Sequence, residues 1–199
     1  MVPFAAFGKI PALGDFIRIA APPAFTGPRD QWVQAVLVAG RAACGRDWQD
    51  IYLSAPIWRF TLSPGLAGPQ GVLGIIMPSV DQVGRQFPLT LFIPAGSDAS
   101  ATHAANAALF ARLEDVALEA LGDGVSRDDL AAALADLPPP VLATPVAPPL
   151  RALSLWSVLL ADGVRTVTFF GLPSAAQAAG LFDLSVLTRQ AQQAEDLAP

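Results

Sequence analysis

The sequence is poor in the side chains that usually carry out chemistry. Its 199 residues include one cysteine and one histidine, and charged residues make up only 15% of the chain, against about 25% in an average globular domain. A single cysteine, Cys44, excludes an internal disulfide and agrees with a reduced, cytoplasmic setting. A metal site built from histidine and cysteine is also excluded. We therefore expect no metal and no cofactor.

Positive charge and long apolar runs are scarce as well. The chain has 12 basic and 17 acidic residues, for a net charge of -5. No run of basic residues could neutralise successive phosphates, so nucleic acid is not an expected ligand. No stretch of about 18 uncharged apolar residues occurs, and the N-terminus lacks the basic region of a signal peptide. We expect a cytoplasmic protein without membrane insertion.

Apolar residues, by contrast, are abundant. Hydrophobic side chains account for 53% of the chain, and a chain of this length is expected to form one core. With so few charges, much of the surface must be uncharged or apolar. Such a surface favours a protein partner or self-association into a homo-oligomer.

The spacing of apolar residues and turn signals predicts an α+β fold. The expected strands are 57–62, 72–77, 87–93, 152–160 and 164–170. The expected helices are 28–45, 47–53, 100–121, 126–137 and 174–182. Because the connections between strands are short, the prediction is a mainly antiparallel sheet of about five strands with helices on both faces, a three-layer sandwich. The run at 72–77 is apolar on both faces, which predicts a central strand.

A proline-rich segment interrupts this predicted domain. Residues 1–137 form its main part, and residues 138–149 contain six prolines and no charge, which predicts a stiff, extended connector. Residues 150–185 are expected to supply a hairpin and a helix that complete the same domain. Residues 186–199 are expected to form a polar tail.

Two stretches of the chain are far more specific than the rest. Residues 7–16 end in Gly-Asp-Phe, and residues 54–90 contain both Ala-Pro-Ile-Trp-Arg-Phe and Pro-Ser-Val-Asp-Gln-Val-Gly-Arg. They resemble the TagF/ImpM family of type VI secretion-associated proteins. Residues 154–157 and the Gly-Leu-Pro at 171–173 extend the resemblance, although Ser157 stands where the family commonly has a second tryptophan.

The resemblance implies both an architecture and a role. It implies a sandwich related in outline to longin-like and profilin-like scaffolds. It also implies a non-enzymatic cytoplasmic protein that restrains assembly of the bacterial type VI secretion apparatus after translation. The implied partner is the forkhead-associated-domain scaffold protein of that apparatus, bound stoichiometrically through the weakly charged surface.

Few polar or charged residues lie within the two specific stretches, and these are the candidates for structural or partner-contact roles. The candidates are Gly14, Asp15, Trp58, Arg59, Asp81, Gly84 and Arg85. Because buried charges are costly unless paired, we expect Arg59 or Arg85 to clamp Asp15 or Asp81. Gly84 is expected to close a tight turn after Asp81. Trp58 is expected in the core.

Two other functions stay open at this point. A hydrolase would use Asp15, Asp81 and Arg85 as a base and an electrostatic clamp, gathered in an open cleft. A structural subunit would sediment with the assembled apparatus. His103 has neither a second histidine nor a nucleophile elbow beside it, so we expect a surface or helix-capping histidine.

Overall fold

The computed structural model describes residues 3–143 and 151–183, and within them the strands form one seven-stranded antiparallel sheet. The strands are β1 (Ala5–Gly8), β2 (Ile17–Ile19), β3 (Trp58–Leu62), β4 (Gly71–Met77), β5 (Leu89–Ala95), β6 (Leu153–Leu160) and β7 (Gly163–Phe170). Their order across the sheet is β2-β1-β5-β4-β3-β6-β7. The apolar strand β4 is therefore the central one, as predicted.

Helices pack on both faces of this sheet. They are α1 (Pro23–Cys44), α2 (Trp48–Ser54), α3 (Ala99–Ala105), α4 (Ala107–Glu119), α5 (Arg127–Ala135) and α6 (Ala175–Ala179), with a 3₁₀ turn at Gly45–Asp47. In β4, Val72 and Ile76 belong to one apolar cluster with α1, α2 and α6. Leu73 and Ile75 belong to a second cluster with α4 and α5. The predicted α+β class with an antiparallel sheet is confirmed.

The predicted number of about five strands is wrong, because β1 and β2 come from the N-terminal segment. Strand β1 pairs with β5 on one side and with β2 on the other. These strands are four and three residues long, too short for alternation of apolar and polar residues to reveal them. Their position brings residues 9–16 close to the connection between β4 and β5.

Helix α1 begins earlier than the sequence indicated. The prediction placed Pro28 in the first turn, whereas the N–H groups of Phe25 and Thr26 already donate to the carbonyl of Pro22. Pro22 is extended and Pro23 occupies the first turn, the position where a missing N–H costs nothing. Pro28 consequently lies inside the helix.

Asn106 divides the predicted 100–121 helix into α3 and α4, so the prediction of one helix is wrong. Its side-chain amide donates to the carbonyl of Val141 at 2.8 Å and its side-chain oxygen accepts from the amide of Val141 at 2.8 Å. An asparagine within an apolar helical pattern does not reveal such a distant partner.

Local signals at the other elements are confirmed. Ser126 and Asp129 form the predicted capping box of α5, and β6 and β7 form the predicted hairpin. No helix in the described ranges is long and apolar enough to cross a bilayer. The predicted connector from residue 144 to 149 and the predicted tail at 186–199 lie outside the described residues.

Candidate functional site

Asp81 organises the turn that connects β4 with β5. One carboxylate oxygen, Oδ1, accepts from the amide of Val83 at 3.1 Å and from the amide of Arg85 at 2.8 Å. The amide of Gly84 donates to the carbonyl of Asp81 at 2.8 Å. Gly84 has φ +81, a left-handed conformation that glycine adopts at little cost. The structure thus places Gly84 in the tight turn that the sequence predicted.

The second carboxylate oxygen of Asp81 holds two cations. Oδ2 accepts from Lys9 Nζ at 2.8 Å and from Arg85 Nε at 2.6 Å. Asp81 and Lys9 are both buried, whereas the Arg85 side chain is 61% exposed. Burial opposes ionisation of Asp81, but its hydrogen bonds with Lys9, Arg85 and Val83 outweigh burial and hold its pKa well below the ordinary range. Asp81 is an ionised structural anchor.

These contacts join the two specific stretches of the sequence. Arg85 Nη2 donates to the carbonyl of Gly14 at 2.6 Å, and the amide of Gln82 donates to the carbonyl of Leu13 at 3.0 Å. We call the joined loops, residues 13–16 and 82–85, the paired-loop surface. Lys9 and Asp81 lie beneath it and fix its two halves to each other.

Exposed side chains of mixed character cover the paired-loop surface. Asp15 is exposed, Phe16 is 44% exposed and Val83 is 72% exposed. The ring of Phe16 stacks on Phe7 at 5.7 Å and meets the edge of Phe87 at 4.7 Å between ring centroids. Aromatic residues, phenylalanine among them, are enriched at the cores of protein interfaces relative to the rest of the surface.

Asp15 does not form the pair that the sequence suggested. No hydrogen bond or ion pair joins it to Arg59 or to Arg85, and its side chain is exposed. The neighbouring carbonyl of Gly14, rather than the Asp15 carboxylate, contacts Arg85. Of the pairings that the sequence left open, the structure contains the one between Arg85 and Asp81 and neither of those with Asp15.

Arg59 lies elsewhere in the molecule and has a different partner. It projects from β3 toward α4, where Nε and Nη2 donate to the two carboxylate oxygens of Glu114, each at 2.7 Å. Arg59 is buried, and the Glu114 side chain is 15% exposed. This two-point contact attaches α4 to the sheet.

Trp58, on the other face of β3, is buried as predicted, and its Nε1 donates to the carbonyl of Leu181.

The sequence predicted a surface or helix-capping role for His103, and this prediction is wrong. His103 is part of a polar network between α3 and the sheet. Its Nδ1 lies 2.8 Å from Thr61 Oγ1, and its Nε2 lies 2.8 Å from Ser157 Oγ. Thr61 and Ser157 are buried. A neutral imidazole donates from one nitrogen and accepts at the other, and a hydroxyl can fill either role. Both ring nitrogens are therefore satisfied without a charge.

The network predicts a specific pH dependence of stability. Burial, followed by the charge of Arg59, lowers the pKa of His103 from 6.5 to about 4. The unfolded chain therefore binds a proton between pH 6.5 and 4 that the folded protein excludes, so stability is lost as the pH falls through this range. Allowing for the partial exposure of the ring, we expect a loss of about 2 kcal/mol by pH 4.

A His103→Gln variant isolates this contribution, because glutamine can hydrogen-bond but does not titrate. Urea unfolding of parent and variant at pH 7.5, 5.5 and 4.5 measures it. The stability advantage of the parent should shrink with each step toward acid. A difference between the two proteins that stays constant across the range would contradict the assignment.

Sequence reasoning missed Lys9, Glu114 and Ser157. Lys9 is the single lysine of the chain and lies in one of the two specific stretches, which was the available signal. Glu114 carried no comparable signal, and the departure at Ser157 from the family's second tryptophan did not indicate His103 as its partner, because these partners are 55 and 54 residues away. The cavity of about 780 Å³ at the opposite end of β4 is lined by none of the predicted site residues.

Comparison with known proteins agrees with the sequence motifs. Residues 5–137 match the model of a family described as the TagF N-terminal domain, type VI secretion system-associated. The chain is similar to the crystal structure of PA0076 from Pseudomonas aeruginosa PAO1, with a TM-score of 0.79 and 28% sequence identity over 90% of this chain and 93% of that chain. No curated protein matches the chain.

Proposed function

Since the chain belongs to the TagF family of type VI secretion-associated proteins, we propose that it restrains assembly of the bacterial secretion apparatus by binding another protein. The proposed partner is the forkhead-associated-domain scaffold of the apparatus. Regulation takes place in the cytoplasm after translation, through a stoichiometric complex and without a chemical reaction. The observation that carries this proposal is that parts of the two family stretches, residues 13–16 and 82–85, meet on one exposed surface.

The chemistry of this surface favours binding. Phe16 and Val83 offer apolar contact area, and Asp15 and Arg85 offer charges of opposite sign at the rim. Interfaces of transient complexes combine such an aromatic centre with a polar border. Because Lys9 and Asp81 brace the loops from beneath, the surface is preorganised, which reduces the entropy that binding must overcome.

The same geometry argues against the alternative of a hydrolase. A general base needs a free lone pair and a pKa near the working pH. Both oxygens of Asp81 already accept hydrogen bonds, and its pKa is lowered instead of raised. No ion pair or hydrogen bond brings Asp15 to Arg85 or Asp81, so the three groups do not form the proposed clamp.

The helices on both faces of the sheet also support the architecture we propose for this protein. It is a three-layer sandwich, related in outline to longin-like and profilin-like scaffolds. Similarity to these folds does not by itself indicate a function. Function is therefore assigned from the paired-loop surface.

A binding titration between the purified chain and the purified scaffold protein tests the proposal. We expect a dissociation constant in the range of about 1 μM, and at least a tenfold weaker complex for Val83→Glu, which places a charge in the apolar part of the surface. Leu118→Glu is the matched control, because Leu118 is 54% exposed on α4. It should bind like the parent.

Two outcomes would overturn different parts of the proposal. If both folded proteins fail to associate at about 100 μM, the partner is wrong. If the Val83→Glu and Leu118→Glu variants bind the scaffold protein equally well, the scaffold is still the partner, but it does not bind the paired-loop surface. Sedimentation with the assembled apparatus in fixed proportion would identify a structural subunit instead.

A further inference from the structure

Within residues 3–143 and 151–183, the two edges of the sheet are protected to very different degrees. Edge strand β2 has three residues, and the carbonyl of Arg18 within it accepts a hydrogen bond from Arg127 at 3.3 Å. Edge strand β7 has eight residues and contains no proline. Its one charged side chain, Arg165, pairs with Asp162 at 2.8 Å. Proteins usually block a long edge strand, because its free N–H and C=O groups pair readily with another strand.

Exposed apolar side chains accompany this open edge. In the β6–β7 hairpin, Leu159 is opposite Val164 and Leu153 is opposite Phe170. These residues share the sheet face of Ser157, which contacts His103 of α3. Leu159, Val164 and Phe170 are 56%, 57% and 72% exposed. The helices of this face therefore do not cover β7.

The hydrogen-bond pattern shows which backbone groups of β7 are free to bind another strand. The amide of Gly171 donates to the carbonyl of Ala152 across the hairpin at 2.9 Å. Because the pattern alternates along an antiparallel pair, the odd-numbered residues of β7 point their backbone groups at β6. The N–H and C=O groups of Val164, Thr166, Thr168 and Phe170 then point away from the sheet.

We propose that β7 binds β7 of a second copy of this chain, antiparallel, so that the two sheets become one. A two-fold axis through Val167 places Val164 opposite Phe170 of the second copy and Thr166 opposite its Thr168. In this register all four outward-pointing residues of each strand exchange hydrogen bonds with the other. The side-chain pairs are of the aromatic with β-branched and threonine with threonine kinds that stabilise sheets.

The one charged side chain of β7 is also compatible with a second copy of the chain as the partner. Arg165 is opposite Phe169 of the second copy, where a cation can contact an aromatic ring. The two Arg165 side chains are four residues apart along the strands, about 13 Å, so they do not repel each other strongly. The sequence from 164 to 170 is thus compatible with itself when reversed about Val167, a property that pairing with an unrelated peptide would not require.

Sedimentation or light scattering between about 1 μM and about 200 μM tests the proposal, since a single pair of edge strands makes a small and weak interface. We expect the mass to rise from 20.7 kDa toward twice that value. Thr166→Pro removes an N–H that points away from β6 and pairs with no described strand of the monomer, and it should weaken the dimer at least tenfold. Thr166→Val keeps the N–H and should dimerise like the parent. A monomer at all concentrations, or a dimer that Thr166→Pro leaves intact, would overturn the proposal.

A cross-linking measurement fixes the register and stays informative if the proline variant misfolds. In a Cys44→Ser background, Val167→Cys faces its own copy across the axis and should form an interchain disulfide on mild oxidation. Thr166→Cys in the same background faces Thr168, and its own copy lies diagonally at about 7 to 8 Å, too far for a disulfide. Equal cross-linking of the two variants, or none, would overturn this register. Neither measurement involves the scaffold protein, so the outcome is independent of the proposed function.

Discussion

Asp81→Ala is expected to lower the free energy of unfolding by about 4 kcal/mol. The change leaves Lys9, which is only 6% exposed, as a buried cation without its carboxylate. It also removes the acceptor for the amides of Val83 and Arg85. Losing one partner of a buried pair costs more than the pair contributes, because the desolvation of the remaining charge is no longer offset.

Urea unfolding of a double-mutant cycle measures this effect. Lys9→Met in the Asp81→Ala background removes the stranded charge and should restore part of the lost stability. Asp15→Ala is the matched control from the same surface, and it should change stability by less than about 0.5 kcal/mol because its carboxylate is exposed. Equal stability of parent and Asp81→Ala would refute the role of Asp81 as the anchor of the paired-loop surface.

Glu114→Ala is expected to cost about 3 kcal/mol for the same physical reason. Arg59 is 7% exposed, and both of its donated hydrogen bonds to carboxylate go to Glu114. The expected loss is smaller than at Asp81 because the Glu114 side chain is 15% exposed, so water partly screens the pair.

The double substitution Arg59→Met with Glu114→Leu distinguishes a stranded charge from lost packing. Replacing a buried ion pair by apolar residues of similar size is often nearly neutral. The double variant should therefore be more stable than Glu114→Ala alone, as measured by thermal and urea unfolding. If the double variant loses as much stability as Arg59→Met and Glu114→Leu lose together when measured singly, the two charges do not interact.

The sequence predicted the local part of the candidate site. The contact between Asp81 and Arg85 spans four residues within one turn, and Gly84 with its positive φ lies between them. Such short-range geometry follows from residue type and spacing alone. The long-range partners did not follow. Lys9 reaches Asp81 across 72 residues, through a strand pairing that the sequence did not indicate.

The fold shows the same division between local and distant causes. The capping box at Ser126 and the β6–β7 hairpin depend on neighbouring residues and were predicted. Strands β1 and β2 exist because β5 offers an edge to pair with, and the break at Asn106 exists because Val141 lies beside it. His103 was misassigned for the same reason, since its partners come from β3 and β6.

Stability and binding must be separated when the paired-loop surface is tested. Variants at Lys9 or Asp81 are expected to weaken partner binding merely by loosening the loops. Val83 is 72% exposed, so its substitution changes the surface with little effect on folding. It is therefore the appropriate position for testing recognition.

Hydrogen–deuterium exchange of the chain alone and in complex with the scaffold protein tests the central claim most directly. We predict slower exchange on binding in residues 13–16 and 82–85, with little change in the outer face of α4 around Leu118. Slower exchange confined to α4, α5 or other parts of the described chain, with the paired loops exchanging as in the free protein, would contradict the account.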